Sequence, residues 1–311
     1  MPDSCALFPS HTHNLPGGGS MRYAVFEPEG SPRGTVLVLP GRREFIEKKH
    51  SELGREFLTR NFRLIIVEWR GQGLSARFLS SAARQRDHIE NFQTYLDDLH
   101  SFYGAVVRSG LQGPLVVVGH SMGSHLALRA ANEGLLPEAT AVIVTAPMLA
   151  LASRRVHAFA RVLCFIAVKL GRSKNYAPGQ HDYGVQETTF DNNPLTQNPQ
   201  RFKIMEDYFT AHPNMTVGGV TWGWLRSALA SMHLVQKPSY LERITIPVLA
   251  LTGGKDRVTP ARELSRYLDS MPQADHIILL EARHDLMNEL EPIRAEAWKH
   301  IDGFLEWAMP A

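Results

Sequence analysis

Short aliphatic and β-branched runs recur along the chain, and their nearly continuous hydrophobicity constrains the fold more than any other feature. Such a run is typical of a strand that is buried on both faces of a parallel sheet. Six strands of this kind are predicted, over residues 35–39, 63–68, 115–118, 141–145, 248–252 and 276–280. Since parallel strands need long connections, the segments between them must cross over a face of the sheet.

Several of these connections carry helical periodicity. Apolar residues recur at helical spacing between Phe92 and Val106, and again between Ile293 and Leu305 near the C-terminus. Strands that alternate with helices in this way are joined by right-handed crossovers. The sequence therefore predicts an α/β protein with a doubly wound, mostly parallel sheet.

One long interval interrupts the alternation. Between Pro147 and Leu241 the sequence predicts no strand but three helices, over residues 154–170, 201–212 and 221–235. Because ligand crevices of open α/β sheets lie at the carboxyl ends of the strands, we expect these helices to cover that edge as an inserted cap. Three parts are predicted: a flexible N-terminal arm (1–20), an α/β core (21–146 and 242–311) and a helical cap (147–241).

The segment Gly119-His120-Ser121-Met122-Gly123 directly follows one predicted strand and directly precedes a helix-forming stretch. A serine on such a turn presents its hydroxyl at the sheet edge, and the flanking glycines permit close backbone approach. The helix N-terminus also favours developing negative charge. The pattern alone is weak, since a bare glycine-rich turn can match it. Its position between strand and helix favours Ser121 as a nucleophile.

Two further residues complete a candidate triad. Asp256 lies in a glycine-containing loop after one late strand, and His284 follows the next. Histidine suits a general base because its unperturbed pKa of about 6.5 lets it accept and return a proton near neutral pH. The order Ser121, Asp256, His284 is the one found in α/β-hydrolases and differs from both protease-type orders. The alternatives are that Asp256 is a surface acid and that His120 packs in the turn.

Ester hydrolysis also needs hydrogen-bond donors for the oxyanion. The backbone N–H of Met122, directly after the nucleophile, is expected to supply one donor. The second is assigned to the backbone N–H of Arg42, in the loop Pro40-Gly41-Arg42-Arg43-Glu44 after the first core strand. The alternative is that this loop is only a turn.

Taken together, these residues resemble the α/β-hydrolase family, and within it the branch of bacterial lysophospholipases and monoacylglycerol lipases. The match runs from about Val36 to the end of the chain and includes the loops of Asp256 and His284. Trp69–Ser75 is similar to the Arg-Gly-(Gln/His)-Gly-x-Ser turn of this branch and is more diagnostic than the serine turn. Pro40-Gly41 stands where many lipases of the branch have His-Gly, and it looks more like the lysophospholipase version.

The resemblance implies that the chain cleaves the carboxylic ester of a monoacyl lipid, a lysophospholipid or a monoacylglycerol, through an acyl-enzyme on Ser121. It implies no metal and no organic cofactor. Two alternatives stay open, because fold does not determine function. One is a hydrolase of small esters, thioesters or amides that uses the same triad, and the other is a ligand-binding homologue without catalytic activity.

Candidate substrate contacts follow from this reading. Arg42 and Arg43 are expected to meet a phosphate headgroup, and aromatic residues of the cap are candidates to line an acyl-chain tunnel, although core packing explains most such residues. The aromatic candidates are Phe159, Phe165, Trp222 and Trp224. Basic residues cluster around the first cap helix: Arg154, Arg155, Arg161, Lys169, Arg172 and Lys174. They predict either peripheral contact with an anionic lipid surface or a solvated helix face.

Composition narrows the partners and the compartment. A formal charge of +2, from 33 basic and 31 acidic residues, provides no electrostatic basis for nucleic acid binding. The two cysteines, Cys5 and Cys164, do not form a disulfide framework and fit a reducing compartment. The longest apolar stretch, Val156 to Leu170, is shorter than the roughly 20 residues of a spanning helix. We therefore expect a soluble cytoplasmic protein that contacts the inner face of the membrane at most peripherally.

Overall fold

A single sheet organises the protein. The computed structural model describes residues 5–150, 154–184, 189–237 and 239–309, and of residues 154–158 it describes the helix but not the side chains. The strands are β1 His11–Asn14, β2 Ser20–Phe26, β3 Gly34–Leu39, β4 Phe62–Val67, β5 Leu115–His120, β6 Ala139–Thr145, β7 Val248–Gly253 and β8 Ala274–Leu279. Their spatial order is β1-β2-β4-β3-β5-β6-β7-β8. The pairings of β1 with β2 and of β2 with β4 are antiparallel, and the others are parallel. The predicted doubly wound, mostly parallel sheet is confirmed.

Helices cover both faces of this sheet. They are α1 Ile46–Lys49, α2 Arg55–Thr59, α3 Gln93–Phe102, α4 Met122–Asn132, α5 Arg154–Lys169, α6 Pro199–Ala211, α7 Trp222–Val235, α8 Ala261–Leu268 and α9 Glu291–Ala308. Successive residues of β3 point to opposite faces, so that Leu37 packs with α3 and α4 while Val38 packs with α2 and α9. Each face therefore has its own apolar core.

The N-terminal segment differs from the expected flexible arm over 1–20. Within the described part of that range, residues 11–14 form β1, which pairs with β2 at the edge of the sheet. Arg22 of β2 donates to the hydroxyl of Ser10 and the carbonyl of Phe8, and His13 bonds to Ser101 of α3. The strand sequence His-Thr-His-Asn shows no alternation of apolar and polar residues. Periodicity could not reveal it because an edge strand needs little apolar burial.

The three helices predicted between β6 and β7 are confirmed as α5, α6 and α7. Described residues of this interval form two isolated bridges, Asp87 with Val220 and Tyr176 with Thr221, but no strand. The interval also contacts the core, since Tyr208 and Phe209 of α6 pack on Phe45, which lies directly after the predicted oxyanion loop. Helix α6 therefore lies beside the carboxyl end of β3.

The end of β3 and the first turn of α4 lie in unusually close contact. A Cβ atom on Gly123 would lie 1.9 Å from the carbonyl oxygen of Leu39 and 2.5 Å from that of Pro40, closer than real Cβ atoms approach. A Cβ atom on Gly119 would lie 2.6 Å from the Cα of Ser124. Only glycine allows the two backbones to approach in this way.

The Gly123→Ala variant is expected to lose at least about 1–3 kcal/mol of unfolding free energy, because its methyl group overlaps a backbone carbonyl. Urea denaturation would measure this loss. Gly303→Ala in α9 is the matched control, since a Cβ atom there meets nothing within 4 Å. It should gain about 0.5–1 kcal/mol from the better helix propensity of alanine. Wild-type stability in Gly123→Ala would contradict the contact between β3 and α4.

Candidate active site

Ser121 occupies a strained turn between β5 and α4. Its φ of 50° and ψ of −111° lie in a region that costs a residue with a side chain of order 1–3 kcal/mol. The turn is held from β6, because the N–H of Ser121 donates to the carbonyl of Thr145 at 2.9 Å and the N–H of Met148 donates to the carbonyl of Ser121 at 3.1 Å. These bonds keep the hydroxyl at the carboxyl edge of the sheet.

His284 and Asp256 form a buried hydrogen-bonded pair. Nδ1 of His284 lies 2.8 Å from Oδ2 of Asp256, and both side chains are almost fully removed from solvent. Asp256 also accepts from the N–H of Val258 at 2.7 Å, and from the N–H and the hydroxyl of Thr259 at 3.0 and 2.8 Å. Burial alone would raise the pKa of Asp256, but these bonds, led by that from His284, lower it. The carboxylate is therefore ionised at neutral pH.

Ser121 and His284 line the same cavity of about 170 Å³. Asp256 lies behind His284 and bonds to Nδ1, which leaves Nε2 of the imidazole without a partner among the described residues. In the same part of the chain, no hydrogen bond joins the hydroxyl of Ser121 to His284. Catalytic hydrogen bonds are often long in enzymes without substrate and tighten only in the Michaelis complex. Ser121 and His284 thus line one cavity, but among the described residues no continuous chain of hydrogen bonds joins Ser121 to His284 and Asp256.

The backbone amide of Arg42, in the loop after β3, is available to a ligand. The N–H of Gly41 donates to Oε2 of Glu44 at 2.5 Å, and the N–H of Arg43 donates to Oε1 of Gln72 at 2.8 Å. Between them, the N–H of Arg42 has no hydrogen-bond partner in the described chain, and the same holds for the N–H of Met122 at the start of α4. These two amides are the predicted oxyanion donors.

The Trp69–Ser75 segment holds this loop in place. Nε1 of Trp69 donates to the carbonyl of Pro40 at 2.8 Å, and Gln72 accepts from the Arg43 amide. Glu68, just before the segment, accepts from the N–H of Ile46 at 3.1 Å. The motif that carries most of the family resemblance therefore positions the oxyanion loop and does not touch the serine.

A buried cluster of charges lies beside the cavity. Nζ of Lys48 lies 2.8 Å from Glu44 and 2.7 Å from Asp285, and Nζ of Lys49 lies 2.7 Å from Glu44 and 2.5 Å from Glu52. Burial would raise the pKa of Glu44, but the two ammonium groups lower it to about 2. Asp285 directly follows His284, so the ion pair with Lys48 ties the histidine loop to α1.

His120 contacts this cluster, but it is suited neither to act as the general base for Ser121 nor to carry a positive charge. Burial lowers the pKa of His120 to about 3, so its ring is neutral, and Nδ1 bonds to the hydroxyl of Thr145 at 2.9 Å. Ligand atoms of Glu44, His120 and Asp285 lie within 4.8 Å of one another. A metal ion held by these three residues would have to displace the lysine ammonium groups that already neutralise both carboxylates.

The predicted substrate contacts divide into two groups. Arg43 lines the cavity of Ser121, whereas the four aromatic candidates do not. Phe159 and Phe165 are 67% and 52% exposed on α5, because that helix buries little of its apolar surface. Trp224 packs edge-to-face on Phe92 at 5.3 Å, and Trp222 packs partly buried against the same core.

The apolar residues that do line the cavity are Leu195, Met205 and Val258. Met205 belongs to the apolar stripe of α6, which does not distinguish packing from cavity lining. Leu195 lies in an irregular segment that carries no periodic signal. The hydroxyl of Thr259 bonds to Asp256, and α8, which follows, has no side-chain cap. In the sequence, the only indication that Thr259 supports Asp256 is its position three residues after it.

Known proteins are similar to this chain over most of its length. A family model described as serine aminopeptidase, S33 (Hydrolase_4) matches residues 30–291. The probable lysophospholipase L2 of Haemophilus influenzae is 24% identical over 298 residues, which cover 94% of this chain and 91% of that protein. The monoacylglycerol lipase of Mycolicibacterium smegmatis is 24% identical, over 90% of this chain and 91% of that protein.

The fold also matches a solved structure over almost its whole length. A soluble variant of monoglyceride lipase from Saccharomyces cerevisiae, in complex with a substrate analogue, superimposes with a TM-score of 0.75. The two chains are 16% identical, and the match covers 97% of this chain and 96% of the yeast chain. At this identity the likeness concerns the fold alone.

The Asp256→Asn variant is expected to lower kcat for p-nitrophenyl esters by about 10³- to 10⁴-fold, because an amide neither orients nor stabilises the imidazolium. Steady-state hydrolysis measures the effect. Asp269→Asn is the matched control: Asp269 also bonds to a histidine, with 3.0 Å to Nδ1 of His276, but it lies outside the cavity of Ser121. Equal losses in both variants, or none in Asp256→Asn, would remove Asp256 from the catalytic machinery.

Proposed function

The chain belongs to the Hydrolase_4 family of serine hydrolases (serine aminopeptidase, S33), and from this we propose that it cleaves the carboxylic ester of a monoacyl lipid. The substrate is a lysophospholipid or a monoacylglycerol. One observation carries the proposal: Ser121, His284 and the loop of the free Arg42 amide surround one cavity that has apolar residues in its wall. The names of the relatives that match nine tenths of the chain support a lipid ester as the bond that is cleaved.

We propose two-step acyl transfer. The hydroxyl of Ser121 attacks the ester carbonyl while Nε2 of His284 accepts its proton, and Asp256 holds the imidazole through Nδ1. The backbone amides of Met122 and Arg42 donate to the oxyanion of the tetrahedral intermediate. His284 then protonates the departing alcohol, which leaves an acyl-enzyme. Water repeats the sequence and releases the fatty acid, and no step requires a metal or an organic cofactor.

In this proposal, residues 147–241 act as a cap over the cavity. Two residues of the interval, Leu195 and Met205, line the cavity together with Val258 of the core. An acyl chain would contact these side chains, so burial of its methylene groups would favour long-chain substrates. A hydrolase of small esters, thioesters or amides would have the same triad, but its kcat/KM would not rise with the length of the acyl chain.

A fluorophosphonate probe is expected to label the wild-type protein and to leave Ser121→Ala unlabelled, because the probe reacts with the activated serine. Hydrolysis of p-nitrophenyl esters should rise from acetyl to long acyl chains, and an oleoyl lysophospholipid should release oleate. A preference for acetyl esters would support the small-ester alternative. Undiminished labelling of Ser121→Ala would show that another residue is the nucleophile.

We also propose peripheral contact with the membrane through α5. Its exposed face carries Phe159, Val162, Leu163, Phe165 and Ile166, and Leu170 directly follows the helix; each is at least a third exposed. Arg161 and Lys169 lie on the same helix, and Arg172 and Lys174 follow it, whereas the side chains of Arg154 and Arg155 lie outside the described residues. Apolar insertion combined with cationic attraction is how interfacial helices bind anionic lipid.

This contact would be peripheral and not spanning. Within the described ranges, none of the helices combines the length and the hydropathy that crossing a bilayer demands. The two cysteines fit a reducing compartment. We therefore propose a cytoplasmic protein that meets its substrate at the inner face of the membrane.

The double variant Phe159→Ser/Leu170→Ser is expected to bind phosphatidylglycerol vesicles about tenfold or more weakly than wild type, because two exposed side chains no longer insert. Vesicle co-sedimentation measures this. Trp307→Ser is the matched control, since Trp307 is 59% exposed on α9. The proposal fails if the control loses as much binding as the double variant, or if the double variant binds like wild type.

A further inference from the structure

Within the described part of the chain, the guanidinium of Arg43 has no hydrogen-bonding or ionic partner. Among the described residues, no hydrogen bond and no ion pair involves its guanidinium, and Nε is fully buried without an acceptor. The group packs over the ring of Tyr183 with 5.1 Å to the centroid. Burial and the neighbouring charge of Arg42 lower the pKa of Arg43 to about 10, so it remains a cation at neutral pH. A partly buried cation with no ion pair among the described residues therefore lies in the wall of the site.

Two other arginines near the site, Arg42 and Arg22, are paired. Arg42 donates to the carbonyl of Gly218 at 2.8 Å and lies 3.5 Å from the carboxylate of Asp87. Arg22 bonds to Glu47 at 2.6 Å and to Glu68 at 2.7 Å. A buried charge without a partner destabilises a protein. A ligand that neutralises the guanidinium would explain why Arg43 has no ion pair among the described residues.

Arg43 faces two adjoining cavities. It lines the cavity of about 170 Å³ that contains Ser121, and also a neighbouring cavity of about 570 Å³ under α6. Two carboxylates of the larger cavity are paired elsewhere: Asp182 accepts from the hydroxyl of Tyr176, and Asp207 pairs with Lys203. Neither forms an ion pair with Arg43.

The backbone conformation of Arg43 determines the position from which its side chain extends. Its φ is 65°, and its N–H is held by Gln72 at 2.8 Å, directly beside the free amide of Arg42. An ester whose carbonyl oxygen accepts from the Arg42 amide therefore has its alcohol portion within reach of the next side chain. Five N–H donors in a planar fork match two oxygens of a phosphate.

We propose that Arg43 binds the phosphodiester of a lysophospholipid headgroup, and that this contact makes the enzyme select lysophospholipids over monoacylglycerols. The inference rests on the proposed function, whose substrate class it narrows. In the bound state the acyl ester lies at Ser121 and the phosphate meets Arg43. A monoacylglycerol leaves the guanidinium unpaired.

The first test compares substrates that share one acyl chain. For each protein, kcat and KM are measured on oleoyl lysophosphatidylethanolamine and on monooleoylglycerol. Arg43→Gln is expected to lower kcat/KM for the lysophospholipid about 10- to 100-fold, mainly through KM, and to leave monooleoylglycerol nearly unchanged. Arg43→Lys should retain part of the selectivity, because it keeps the charge but not the fork.

Lys203→Gln is the matched control. It removes a cation from the wall of the larger cavity, where Lys203 is already paired with Asp207, and it should leave the selectivity unchanged. Equal rates of fluorophosphonate labelling would show that the Arg43 variants are folded and keep the reactive serine. Equal losses on both substrates in Arg43→Gln, or no change on either, would overturn the inference.

A second test does not depend on catalysis. Calorimetric titration of wild type with an ether-linked lysophospholipid, which has no ester, should show affinity at least about tenfold above that of the matching alkylglycerol, and Arg43→Gln should abolish the difference. Wild-type affinity for inorganic phosphate equal to that for the ether lipid would overturn the headgroup assignment in favour of a free-phosphate site. Absence of both labelling and hydrolysis would instead refute the proposed function, and the titration would still decide the role of Arg43.

Discussion

The close contact between the end of β3 and the first turn of α4 is the constraint on which the site depends. Gly123 lies against the carbonyl groups of Leu39 and Pro40 with no room for a side chain. This contact brings the loop after one strand to the helix that begins after its neighbour, so the free amides of Arg42 and Met122 border one region. Without it, the serine would be presented but its oxyanion donors would separate.

Buried charges then hold the loops that the glycine contact brings together. Lys48 joins Glu44, at the end of the oxyanion loop, to Asp285, which follows the histidine. Inside a protein such pairs interact more strongly than in water, and a missing partner is correspondingly costly. The network therefore acts as a rigid support for the imidazole. Against this background of paired charges the unpaired guanidinium of Arg43 is a feature of the ligand site and not of the scaffold.

Much of this arrangement could be predicted from sequence, because it depends on local signals. Strands buried on both faces produce continuous aliphatic runs, as in β5, and α7 and α9 show their apolar stripes directly. Strand β1 escaped prediction because an edge strand of four polar residues needs no such pattern. The aromatic residues of α5 and α7 could not be assigned, since exposure on a helix, core packing and cavity lining share one periodicity.

The sequence by itself determined the parallel α/β architecture, the strand-to-helix turn at Ser121 and the chain order of the serine, acid and histidine, because hydrophobic period and glycine placement act over a few residues. Only the tertiary structure decided which side chains share a cavity. It placed Leu195 and Met205 beside Ser121, turned Phe159 to solvent and left Arg43 without an ion pair among the described residues. These outcomes depend on packing between segments far apart in the chain, where distance in space, not spacing in sequence, sets the interaction energy.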